Sequence, residues 1–73
     1  MEHWKIEIYR SLMGLTQKQF ALLIGVKQGT LSKLESGQMR LGQYEEVILD
    51  RFNQWKTRKI ASLENQIAHI KSI

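Results

Sequence analysis

QKQFALLIGVKQGTLSKLESG, residues Gln17 to Gly37, reads as two short amphipathic helices joined by a tight turn at Gly25. Thr16 precedes the first helix and Gln19 follows three residues later, the spacing of a capping box in which hydroxyl and amide side chains satisfy free backbone N–H groups. Phe20, Ala21 and Ile24 recur at helical spacing and define one apolar face over Gln17 to Ile24. Gly25 supplies the positive φ that a sharp interhelical turn needs, Ala21 permits close helix approach, and Val26 plugs the corner. The second helix, about Gln28 to Ser36, turns Leu31 and Leu34 inward. Its other face carries Lys27, Gln28, Thr30, Ser32 and Lys33. These are donors without a carboxylate, a surface suited to a polyanion. Glu35 is the only acid in the stretch.

Upstream, Trp4, Ile8 and Leu12 step by four with Tyr9 and Met13 beside them, which predicts a helix over residues 3 to 13. Gly14 stands where a C-cap glycine belongs, with Leu15 as its hydrophobic contact. With no proline in the chain, glycines 14, 25, 37 and 42 carry the punctuation. Gly29 is the exception, falling inside the first turn of the second motif helix.

Downstream, Tyr44, Val47, Ile48, Phe52 and Trp55 are helically spaced and predict a helix that closes the core over Leu31 and Leu34. Neither glycine nor proline follows Gly42, so nothing local ends this helix before Ile73. Ile60, Leu63, Ile67 and Ile70 alternate by three and four, as the a and d positions of two heptads do. Phe52 and Trp55 sit one residue out of that register. Either the helix bends near Thr57 and Arg58, or the two stripes face different neighbours. The tail stripe then either folds back to finish the monomer core or forms a seam between two subunits. So many large aliphatics are hard to hide on a small domain, which favours the seam.

The order Gln17, Ala21, Gly25, Val26, Leu31, Leu34 resembles the helix-turn-helix of the phage repressor and Cro-like family. The flanks agree: Arg10 precedes Gly14-Leu15-Thr16-Gln17, and Glu35-Ser36-Gly37 ends the second helix as the family's recognition helix ends. The resemblance covers residues 4 to 52 and departs beyond, where relatives usually break to another short helix. It implies an all-α, compact four- to five-helix lambda-repressor-like domain, here with an extended C-terminal helix. It also implies a partly buried ion pair between Arg10 and Glu35. In a helix-turn-helix the N-terminal part of the second helix meets base edges in the major groove. Gln28 is then the principal reader, since its amide pairs bidentately with adenine, and Lys33 reaches guanine or phosphate. Thr30 and Ser32 add hydroxyls. Gln17 and Lys18 stand where a helix N-terminus meets phosphate. Lys27 replaces the Ser or Thr cap of many relatives, exchanging a cap for a phosphate-reaching ammonium. Family members lay the loop after Gly37 along the sugar-phosphate backbone, which points to Arg40 and, more weakly, Gln43.

Composition agrees with this reading and excludes others. At 73 residues the chain is one small domain, with 42% hydrophobic residues and a formal charge of +4. That balance favours an anionic partner. There is no cysteine, hence no disulfide or thiolate metal site. His3 and His69 lie at opposite ends without ligand-spaced partners, Glu45 and Glu46 point to different azimuths, and no nucleophile motif or phosphate loop occurs. Neither a metal, a cofactor nor an enzymatic activity is expected. No apolar run is long enough for a bilayer, so a cytoplasmic protein is expected. The basic cluster Arg51, Lys56, Arg58 and Lys59 reads as a solvated helix face.

The expected organisation is a DNA-binding unit over residues 1–57 and a helical extension over 58–73. Phe52, Trp55, Ile60, Leu63, Ile67 and Ile70 would join two copies. The expected function is a sequence-specific, double-stranded-DNA-binding transcriptional regulator of phage or mobile-element type, a homodimeric repressor acting at a palindromic operator. The alternative is a protein-interaction module on the same scaffold, antitoxin- or antirepressor-like, which binds a protein partner through its C-terminal helix.

Overall fold

The computed structural model describes the backbone of residues 1–72 and the side chains of residues 1–68. Four helices follow one another: α1 (Lys5–Leu12), α2 (Gln17–Ile24), α3 (Gln28–Ser36) and α4 (Tyr44–Ser72). Among the described residues there is no strand, and the domain is all-α.

Local chemistry places the helix ends. The Thr16 hydroxyl accepts from the Gln19 amide at 3.1 Å, and the Gln19 side chain accepts from the Thr16 amide at 2.8 Å, completing the capping box. Gly25 ends α2 in the left-handed conformation at φ 77°, and the Val26 amide turns back to the Ala21 carbonyl at 2.9 Å. This closure satisfies carbonyls that the helix end would leave free. Gly37 does the same for α3 at φ 81°; a Cβ there would also meet the His3 ring at about 3.1 Å. A side chain at either glycine would be strained.

The core is built from Ile6, Phe20, Ala21, Ile24, Leu31, Leu34 and Ile48, one to three residues from each helix. Tyr9, Met13, Leu15, Val26, Met39, Leu41, Tyr44 and Val47 pack around it. The first helix is shorter than residues 3 to 13, and its inward side is Ile6, Tyr9 and Met13. Trp4, Ile8 and Leu12, the stripe that announces it in the sequence, faces outward. Tyr9 stacks on Phe52 at 4.3 Å between ring centroids, and Phe52 lies against Trp55 at 5.8 Å. These aromatics fasten α1 along the first half of α4.

The 29-residue α4 runs as one helix through Thr57 and Arg58. At 1.5 Å per residue it is about 43 Å long, which accounts for a molecule of 52 × 20 × 18 Å. Ile60, Leu63 and Ile67 stay roughly half exposed, so the tail does not fold back onto the monomer core. Ile70 of the same stripe lies outside the described side chains. Among the described residues, no helix is long and apolar enough to cross a membrane.

Candidate nucleic-acid interface

The outer face of α3 is open. Lys27, Gln28, Ser32 and Lys33 are exposed and Thr30 is half-buried. Lys27 occupies the N-cap position at extended φ and ψ, and its side chain makes no cap hydrogen bond. The first-turn amides of α3 therefore have no side-chain cap, and Lys27 adds a cation at the same helix end. That combination favours an anion. Lys18 at the start of α2, and Arg40 and Gln43 in the α3–α4 loop, are also exposed.

Behind this face lies a chain of hydrogen bonds spanning three helices. Arg10 Nε donates to Glu35 Oε1 at 2.9 Å, and Arg10 Nη1 donates to the Leu15 carbonyl at 3.3 Å. The pair is largely sheltered, with side-chain exposures of 18% for Arg10 and 9% for Glu35. The other Glu35 oxygen, Oε2, accepts from Gln17 Nε2 at 2.6 Å. Gln17 Oε1 in turn accepts from Gln28 Nε2 at a longer 3.4 Å. Glu35, the one acid on α3, is thus engaged by a guanidinium and an amide and presents little negative charge to the outer face.

The relay matters for Gln28. A glutamine amide carries two N–H donors and one acceptor oxygen. One N–H on Gln17 leaves the second N–H and the oxygen free, which is the pair needed for the N7 and N6 edge of adenine. Gln17 therefore links Glu35 to Gln28, a contact that the sequence reading missed. No local signal would have revealed it, because its partner Glu35 is eighteen residues away.

Arg51 differs as well. Read as part of a solvated cluster, it donates through Nε to the Leu23 carbonyl near the end of α2 at 3.4 Å, and through Nη1 to Asp50 at 2.8 Å. A cation at a helix C-terminus is favourably placed. Phe52 and Trp55 are half-buried within the chain, whereas Ile60, Leu63 and Ile67 face outward. Among the described residues no group of His, Cys, Asp and Glu could hold a metal ion.

A family model described as helix-turn-helix matches residues 6–43, just over half of the chain. The chain belongs to the helix-turn-helix family. This is a family of DNA-binding regulatory domains, and the four-helix architecture is its small all-α, lambda-repressor-like fold. No curated protein and no solved structure matches the chain significantly. The match begins at the core residue Ile6 and ends at Gln43 in the loop before α4. The helix-turn-helix match thus takes in α1 from Ile6 onward, α2, α3 and the α3–α4 loop, and leaves all of α4 outside it.

Proposed function

We propose that this protein is a sequence-specific, double-stranded-DNA-binding transcriptional repressor that acts as a homodimer at a palindromic operator, in the manner of phage and mobile-element regulators. The observation that carries the proposal is the outer face of α3, where Lys27, Gln28, Ser32 and Lys33 stand exposed while the only acid of the helix is turned into an ion pair. Gln28 and Lys33 are the base readers, with Thr30 and Ser32 in support. Lys18, Lys27, Arg40 and Gln43 hold phosphates and set the register, and Gln17, whose side chain is engaged by Glu35 and Gln28, meets a phosphate through its backbone amide at the start of α2. Residues 1–57 form the DNA-binding unit, and 58–73 join two copies. A two-fold dimer sets two recognition helices about 34–36 Å apart, on successive major-groove faces. Repression follows if the operator overlaps a promoter.

Gln28→Ala tests the reading directly. It is expected to weaken binding to the best selected duplex by about 1–3 kcal/mol while leaving affinity for random duplex nearly unchanged. Equal losses on both duplexes would remove Gln28 from the readers.

Gly29 offers a second test. A Cβ built there meets nothing within 4 Å, so the fold places no steric demand for glycine at this position. Within a helix, glycine costs about 0.5–1 kcal/mol relative to alanine. We assign its value to close approach of the helix backbone to DNA. Gly29→Ala should therefore raise thermal stability and lower operator affinity together; a rise in stability with unchanged affinity would refute the assignment.

The exposed stripe Ile60, Leu63 and Ile67 also favours a second reading, a module whose working surface is the α4 tail. That module would tolerate Gln28→Ala and Lys33→Ala in its function, and a DNA regulator would not.

A further inference from the structure

Among the described residues, two apolar helical stripes remain uncovered on each chain. One is Trp4, Ile8 and Leu12 on α1; the other is Ile60, Leu63 and Ile67 on the α4 tail. All six side chains are between 46% and 58% exposed. The stripes are matched in length, since eight residues of helix separate Trp4 from Leu12 and seven separate Ile60 from Ile67, about 12 and 10 Å at 1.5 Å per residue.

Their placement relates them. The Met1 amino group on Glu45, Tyr9 on Phe52, and Met13 with Trp55 lining one cleft follow one another in the same order on both segments, so α1 runs alongside the first half of α4 in the same direction. At 100° per residue, Leu63 lies within about 20° of Phe52 around the α4 axis, and Ile60 and Ile67 within about 80°. The tail stripe thus continues the side of α4 on which α1 packs, but α1 ends at Leu12. Beyond that point α4 presents a seat for another helix of the α1 kind, with no helix of its own chain upon it.

We propose that the occupant is α1 of a second copy of this chain. A two-fold axis perpendicular to α4 sets the two long helices antiparallel, with both α1 helices between them, end to end. Each α1 is then packed by its own α4 on one side and by the tail of the other copy on its Trp4–Ile8–Leu12 side. Leu63 lies over Ile8, Ile67 over Trp4 and Ile60 over Leu12. This alignment brings Glu64 of one copy within one helical turn of Lys5 of the other, a pair of opposite sign. Complete covering of twelve half-exposed apolar side chains at roughly 80 Å² each removes about 1,000 Å² from solvent, the size of a weak interface at the threshold that a biological contact must clear. The inference deepens the homodimer of the proposed function. It differs from a tail-to-tail seam by giving α1 half of the contact.

The test is sedimentation of the full chain without DNA, for wild type, Ile8→Lys, Leu63→Asp and an equimolar mixture of the two variants. The expected result is a wild-type dimer, a loss of at least about tenfold in dimer affinity for each variant alone, and recovery in the mixture. The mixed dimer keeps one native contact and places lysine against aspartate in the other. Circular dichroism should be unchanged, since both side chains are half exposed. An Ile8→Lys dimer as strong as wild type would overturn the proposal in favour of a tail-to-tail seam. A mixture no more dimeric than its components, or a monomeric wild type, would overturn it too. Binding to a single half-site duplex, measured separately, tests the DNA reading independently of this outcome.

Discussion

Phe20→Ala is expected to lower the stability of the domain by about 3–5 kcal/mol, the range for truncating a buried aromatic. Phe20 is fully buried in α2, between the helix that carries the candidate readers and the two that support it. A 73-residue chain has a total stability of only about 4–11 kcal/mol. The effective figure belongs to the lower half, because among the described residues no side chain of the α4 tail joins the core. A loss of this size shifts the midpoint of thermal unfolding by more than 10 °C at about 4–8 °C per kcal/mol. The measurement is a thermal melt followed by circular dichroism at 222 nm. A change below about 1 kcal/mol would mean that the core collapses around the missing ring. DNA binding by this variant should fall with its folded fraction and recover on cooling, since Phe20 presents nothing to the outer face.

The same packing shows which parts of the fold were legible. The boundaries of α2 and α3 follow from local chemistry: a Thr-Gln capping box, and glycines in a conformation that other residues avoid. Such signals act over four or five residues and survive in any tertiary context. Helix α1 was legible as a helix, yet its more conspicuous stripe, Trp4, Ile8 and Leu12, lies outside. Two apolar stripes share residues 4 to 13, and periodicity states that a face exists without stating which one is inward. For α4, the absence of glycine and proline after Gly42 agrees with a single unbroken helix. The mismatch between Phe52–Trp55 and the tail stripe reflects two neighbours: α1 and the core on the first half, and no helix of the same chain on the second. The relay from Glu35 through Gln17 to Gln28 was beyond sequence reasoning, because side chains 18 and 11 residues apart meet only once the helices have packed.

That relay carries the second large effect. Arg10→Met is expected to cost about 2–4 kcal/mol, somewhat under the usual figure for breaking a buried pair, since Arg10 keeps 18% of its side-chain surface in water. The cost arises chiefly from Glu35, left sheltered with its charge opposed only by the Gln17 amide. Replacing both partners removes the stranded charge. The double variant Arg10→Met with Glu35→Met should recover most of the lost stability, because apolar side chains of similar volume substitute for buried pairs at little net cost. Recognition should not recover with it. Gln17 then lacks the acceptor that fixes its amide, and Gln28 loses the group that holds one of its N–H donors in place. The double variant is therefore expected to melt near wild type while its preference for the selected operator over random DNA stays reduced by about 1 kcal/mol, roughly one bridging hydrogen bond. Restored stability with fully restored preference would show that the ion pair serves the fold alone. Restored stability with impaired preference would show that a core contact between α1 and α3 also sets the geometry of the reading face.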